Sequence, residues 1–125
     1  MILDTNALSA LADGDPALRP ILESQTVCAL PVIVLGEYRY GIAHSRHRKH
    51  YEGWLTTYLS RFRILDVDEE TTMFYRDVRT ELKRAGTPIP SNDVWIAALC
   101  RQHRLPLLSR DHHFDAVPGI RRLAW

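Results

Sequence analysis

Apolar residues along this chain form two kinds of pattern: short unbroken runs, and longer stretches in which they recur every three or four positions. Unbroken runs suit strands buried on both faces, whereas the longer spacing suits helices with one side against a core. The runs predict strands at 1–3, 26–30, 64–67, 107–108 and 121–124. Between the first two, 7–12 reads as a helix and Asp13-Gly14-Asp15-Pro16 as a turn, with Pro16 opening a helix that reaches about Ser24. Pro31 opens the next helix, to about Ala43. After the polar stretch 44–50 comes an amphipathic helix carrying Tyr51, Trp54, Leu55, Tyr58, Leu59 and Phe62. The spacing predicts a helix over 71–85 that buries Met73, Phe74, Val78 and Leu82 and stops at Gly86. Pro88 and Pro90 bracket a loop, and Ser91 can cap a helix over 93–103 that buries Ile96, Ala97, Leu99 and Cys100. Strands alternating with helices predict an α/β sandwich around a mostly parallel sheet. With no repeat, linker or low-complexity segment, the expectation is one domain over 1–125.

Composition narrows the class. A chain of 125 residues, 46% hydrophobic and 25% charged, can bury its own core and matches soluble globular proteins. The longest apolar stretch, 27–36, contains Pro31 and is too short to span a bilayer, and nothing resembles a signal peptide. Cys28 and Cys100 lie in apolar runs without a CxxC neighbour, the pattern of reduced, buried thiols. A cytoplasmic protein without a membrane partner is expected. The net charge of +1 argues neither for nor against a nucleic-acid partner, so the placement of charge matters more than its sum.

That placement singles out four acids. Asp4 directly follows the first strand, and Asp111 follows the fourth through Ser109-Arg110. Open α/β sheets bind ligands beyond the carboxyl ends of their strands, so two strand ends deliver an Asp to that edge. Glu37 sits among Ile33, Val34, Leu35, Tyr38, Tyr40 and Ile42, and Asp93 lies in the first turn after Ser91. Carboxylates in such settings need a partner or a cation, and several together repel one another unless a cation neutralises them. Oxygen ligands suit Mg²⁺ or Mn²⁺ and are poor for Zn²⁺. Each acid also has an ordinary explanation. Asp4 can cap a helix, Glu37 can face solvent, Asp93 can complement a helix dipole, and Asp111 can belong to a turn.

In chain order, Ile2-Leu3-Asp4-Thr5-Asn6, Glu37 with Gly41, the segment Pro90-Ser91-Asn92-Asp93-Val94-Trp95-Ile96-Ala97-Ala98, and Leu108-Ser109-Arg110-Asp111-His112-His113-Phe114 resemble PIN-domain nucleases, specifically the VapC toxins of VapBC toxin–antitoxin systems. The resemblance covers essentially the whole chain. It implies a sheet in the order 3-2-1-4-5 with helices on both sides and a Mg²⁺-dependent endoribonuclease, with Mn²⁺ as the alternative ion. It implies Asp4, Glu37, Asp93 and Asp111 as catalytic acids, with Asp4, Asp93 and Asp111 holding metal. Thr5, Asn6, Asn92 and Ser109 become polar neighbours that orient carboxylates or water. A homodimer and an antitoxin of the VapB type are implied as partners beside the RNA substrate, and a basic antitoxin side chain inserted among the acids would compete with the metal. One position departs from the pattern: many members carry an acid just before the Phe of the last motif, where this chain has His113. Asp115 can partly substitute or can hold the following turn. If His113 replaces an acid, a second metal position is weak or fills only with substrate present.

Within that reading the metal activates a water in line with a phosphodiester, and Glu37 serves as general base or holds the attacking water. Arg110, beside Asp111, is placed to touch the scissile phosphate. The basic residues Arg39, Arg46, Arg48, Lys49, Arg61 and Arg63, against Glu52 alone among acids from Tyr38 to Arg63, make either an RNA-backbone patch or a solvated or antitoxin-binding surface. His44 and His50 fall roughly 120° apart on a helix, so His44, His47 and His50 are not expected to converge on a metal. Tyr38, Tyr40, Trp54, Tyr58 and Phe62 read as core more than interface. Phosphoryl-transfer hydrolases with a strand-end Asp nucleophile expect a second Asp where Asn6 stands and a late Lys, yet Lys83 is the last. A metal-binding receiver domain lacks its adjacent acidic pair and the same Lys. A degenerate PIN fold that only binds RNA or protein, and a solitary RNA-processing nuclease, are the alternatives left.

Overall fold

In the computed structural model, which describes residues 1–25 and 27–125, five short parallel strands form one sheet in the order β3-β2-β1-β4-β5. They are β1 (Ile2–Leu3), β2 (Ala29–Pro31), β3 (Arg63–Leu65), β4 (Leu107–Leu108) and β5 (Arg122–Leu123). Ile2 pairs with Ala29 on one side and Leu107 on the other, so β1 is the centre. All four pairings are parallel. The chain leaves β1 toward β2 and β3, then returns to its other side with β4. This reversal makes the gap beyond β1 and β4 the topological switch point, where such sheets bind ligands.

Among the described residues six helices flank the sheet: α1 (Thr5–Ala12), α2 (Arg19–Glu23), α3 (Val32–Ala43), α4 (Arg48–Tyr58), α5 (Glu69–Ala85) and α6 (Ser91–His103). Helix α5 packs along α6, and α3 lies against α1, α4 and α6. Ile2, Leu3, Leu8, Leu30, Leu82, Ile96, Leu99, Leu107, Leu108 and Phe114 are fully buried in one hydrophobic cluster. Strand residues buried on both faces need no polar alternation, which is why the central strands read as bare apolar runs. Helix α5 has the strongest local signals. Asp68 accepts from the Thr71 N–H while Thr71 Oγ1 accepts from the Asp68 N–H, and Gly86 ends the helix at φ 71°. Only glycine adopts that left-handed conformation without strain.

Several expectations need correction. Pro31 does not open α3: it is the last residue of β2, paired with Leu65, and precedes the helix in extended conformation. Its missing N–H is harmless at a strand end. The expected strand over 26–30 begins at Thr26, which lies outside the described residues. Residues 16–24 are a 3₁₀ turn, Pro16–Leu18, followed by α2, because Pro20 interrupts the N–H series. Ser91 is not a cap; Pro90 holds that position, and Ser91 Oγ instead meets Tyr75 Oη at 3.1 Å. Met73 is 52% exposed and Thr71 is buried in its place, held by Asp68 and Gln102. Tyr40, expected in the core, is 73% exposed and lies against His44. Cys28 is half-buried and Cys100 buried, both as free thiols, and burial pushes Cys100 up to about 12. Among the described residues, no helix is long and apolar enough to cross a membrane.

Candidate active site

The four singled-out acids come from four elements and meet at the switch point. Asp4 ends β1 and caps α1 by accepting from the Thr5 N–H at 2.8 Å, so its capping role and its place in the site coexist. It is 5% exposed. Its other oxygen accepts from Ser109 Oγ at 2.7 Å and from Asn6 Nδ2 at 3.3 Å. Burial pushes the Asp4 carboxyl above its ordinary value, against the pull of the bonds from Ser109 and Thr5, and repulsion from Glu37 and Asp111 adds to the rise.

Glu37 projects from the middle of α3 and is half-buried. Thr5 Oγ1 donates to Oε2 at 2.7 Å and Asn92 Nδ2 to Oε1 at 2.8 Å, which fixes the carboxylate from both sides. Asp93 lies in the first turn of α6. Burial raises its carboxyl; the bond from His113 pulls it down, and repulsion from Asp4, Asp111 and Glu37 raises it further. Asp111 follows β4 and caps the 3₁₀ turn His112–Ala116 by accepting from the His113 N–H. Its own N–H donates to Ser109 Oγ at 3.0 Å. Thr5, Asn6, Asn92 and Ser109 thus all touch a member of the acidic set or the backbone beside it. Asn6 Oδ1 also accepts from the Arg110 N–H, which ties α1 to the segment after β4.

Two other singled-out residues point elsewhere. The Arg110 guanidinium pairs with Asp15 at 3.1 Å and covers the Trp125 ring at 4.4 Å, so it does not face the acids. Asp115 accepts from Arg122 Nε at 2.8 Å and Nη2 at 2.9 Å, and Arg122 pulls its carboxyl down to about 2. Both oxygens are held in that pair. Arg39, Arg46, Arg48, Lys49, Arg61 and Arg63 are exposed, with Arg48 near Glu52 and Arg61 over Tyr58.

His113 is the residue whose role the sequence did not reveal. Its Nδ1 stands 3.2 Å from Asp111 Oδ1 and 3.5 Å from Asp93 Oδ2. Among the described residues, Asp93, Asp111 and His113 form the one group whose ligand atoms all lie within 4.8 Å of one another; His44, His47 and His50 form none. A second feature without a sequence signal is a cavity of about 280 Å³ beside Glu37 and Thr5. Asp13, Tyr38 and Tyr51 line it, and the Tyr51 hydroxyl donates to Asp13 at 2.6 Å.

The site is thus a group of carboxylates at the switch point of a 3-2-1-4-5 parallel sheet, with Asp4, Glu37 and Asp111 held by hydroxyl, amide or backbone donors and Asp93 facing the His113 ring. The chain matches the PIN domain family over residues 1–120 and belongs to that family. It is 29% identical to Ribonuclease VapC2 of Rickettsia felis, covering 95% of this chain and 92% of the relative. It is also 29% identical to the tRNA(fMet)-specific endonuclease VapC of Salmonella typhimurium, over 99% and 96%. Among solved structures it resembles VapBC2 from Rickettsia felis bound to a DNA fragment from its promoter, at 28% identity and a TM-score of 0.88 over 99% of this chain and 97% of that one.

Proposed function

We propose that the chain is a divalent-metal-dependent endoribonuclease and the toxin of a toxin–antitoxin pair, acting in the cytoplasm as one PIN domain. The observation that carries the nuclease reading is electrostatic. Asp4 and Asp93 hold raised carboxyls amid Glu37 and Asp111, and among the described residues no Lys or Arg pairs with any of the four. Such a set favours a cation from outside the chain. Its oxygen donors fit Mg²⁺, with Mn²⁺ as the alternative, held by Asp4, Asp93 and Asp111. When bound, the ion supplies charge that offsets the phosphodiester and lowers the pKa of a coordinated water.

The chain's own residues do the rest. Glu37, held by Thr5 and Asn92, keeps lone pairs free to position the attacking water and accept its proton. Ser109 and Asn6 keep the Asp4 carboxylate in place as substrate enters. The exposed basic residues from Arg39 to Arg63 bind the RNA backbone with salt-sensitive affinity.

The partner reading rests on the family and on relatives solved as VapBC complexes. A small antitoxin encoded beside this chain would copurify with it and suppress cleavage. The decisive test is cleavage of a mixed RNA pool by purified protein with Mg²⁺ and with EDTA, beside Asp4→Ala. Cleavage that needs both the metal and Asp4 is expected. Cleavage that persists in EDTA or in folded Asp4→Ala would overturn the assignment.

A further inference from the structure

We propose that His113 is itself a metal ligand, joining Asp93 and Asp111 to make a mixed nitrogen–oxygen site that prefers Mn²⁺ to Mg²⁺. The inference deepens the metal-site reading above and rests on it.

The backbone puts this imidazole where a ligand must be. Asp111 accepts from the His113 N–H at 2.9 Å, and this short-range bond closes the turn that follows β4. The turn carries the ring back over Asp111 and across to the first turn of α6, so that Nδ1 stands 3.2 Å from one carboxylate and 3.5 Å from the other. Two donors bound side by side to one ion at ~2.1 Å lie about 3 Å apart. The His113 spacings are within a few tenths of an ångström of that, so binding requires little movement of the three side chains. With its proton on Nε2, the ring offers the Nδ1 lone pair toward the shared space.

The neighbouring groups leave that position to His113. Arg110 is engaged by Asp15 and Trp125, Arg122 by Asp115 and the Ser109 carbonyl, and His112 faces Asp115 and Arg122. Of Arg110, His112, His113 and Arg122, only His113 brings its side chain within 3.5 Å of Asp93 and Asp111. Its ring is also half exposed, which leaves room for an ion to reach Nδ1 from solvent.

Ligand chemistry then sets the preference. Mg²⁺ favours oxygen donors and a tightly held hydration shell, and gains little from an imidazole. Mn²⁺ accepts both oxygen and nitrogen ligands, and later first-row ions bind such sets more strongly still. A fully carboxylate site would separate the two ions poorly. Replacing one acid with His113 favours Mn²⁺ and removes one negative charge from the attraction for Mg²⁺. The position therefore keeps a ligand while changing the ion it selects.

The test uses the full chain with MnCl₂ alone and reads the ion directly. Electron paramagnetic resonance of bound Mn²⁺, with pulsed detection of nitrogen coupling, is compared between the wild type and His113→Gln. Wild type is expected to show imidazole-nitrogen coupling that His113→Gln lacks. The variant should bind Mn²⁺ about tenfold more weakly or worse while its Mg²⁺ affinity changes by less than about threefold. His113→Asp, which makes the donors all oxygen, should lose the coupling yet bind Mg²⁺ more tightly than wild type. Retention of native circular dichroism ensures that these readings report on ligation. Mn²⁺ bound by the wild type without nitrogen coupling would overturn the role of His113 and leave the acidic metal site standing. No binding of Mn²⁺ or Mg²⁺ by the wild type would overturn both.

Discussion

Ser109 Oγ donates to Asp4 Oδ2 at 2.7 Å, joining the ends of β4 and β1 across 105 residues of chain. The same oxygen accepts from the Asp111 N–H at 3.0 Å, so one buried hydroxyl orients two acids from different strands. Ser109→Ala removes a bond to a buried carboxylate, a loss of about 2 kcal/mol and roughly 8 °C in Tm for a chain of this size. Cleavage should fall at least about tenfold, because Asp4 and Asp111 lose their common anchor. Thermal melts and RNA cleavage rates check both expectations. A variant that melts and cleaves like the wild type would refute this anchoring role.

Glu37 is held by donors from two other helices, which separates its position from its acidity. Thr5→Val deletes the hydroxyl that reaches Oε2 while keeping the shape of the side chain. The expected result is a fall in kcat of about tenfold with metal affinity unchanged, since Thr5 positions a proton acceptor. Thr5→Ser restores the donor and should restore most of the rate. Equal loss in the valine and serine variants would point to packing of α1 instead.

Much of this site was legible because its acids occupy places that strand and helix patterns reveal. Asp4 and Asp111 follow apolar runs, Asp93 lies in the first turn of an apolar helix, and Thr5, Asn6, Asn92 and Ser109 are their near neighbours in sequence. What stayed hidden depended on partners far along the chain. Arg110 lies beside Asp111, yet its direction is decided by Asp15, 95 residues away, and by Trp125. Periodicity placed Met73 inward, but the inner position went to Thr71, whose hydroxyl is satisfied by Asp68 and Gln102. Pro31 looked like the start of a helix because a proline fits there as well as at a strand end. His113 read as a lost acid, since sequence order cannot show an imidazole turning back onto Asp93.

The crowding of carboxylates has a sign that stability measurements can read. Asp93 is held above its ordinary 3.8, chiefly by burial. Such a group binds its proton more tightly folded than unfolded. Below pH 3.8 both states are protonated and nothing is lost; as pH rises through the raised value, the folded state loses stability, and the loss persists above it. Asp93→Asn in EDTA should therefore gain on the wild type as pH rises from about 4, and it should keep that gain at pH 7. With Mn²⁺ at a hundredfold excess over Kd, the wild type should instead gain about 2.7 kcal/mol by binding. Urea titrations across pH, with and without metal, check both. A variant no more stable than the wild type at pH 7 in EDTA would mean the acids do not strain the empty site.

Asp115 separates a structural pair from a metal ligand. Arg122 holds both of its oxygens and also donates to the Ser109 carbonyl, so the pair ties β5 and the turn after β4 to the end of β4. With both oxygens committed, Asp115 has little to offer an ion, and Asp115→Asn should leave RNA cleavage within about twofold of the wild type. Its effect belongs in stability. Arg122 lowers the carboxyl to about 2, so the pair stabilises the fold above the ordinary 3.8, and that contribution disappears as pH falls toward 2. Asp115→Asn should melt below the wild type at pH 6, and the two curves should converge between pH 4 and 2. A folded Asp115→Asn that no longer cleaves RNA would instead move Asp115 into the metal site, as the partial substitute for the acid that His113 replaces.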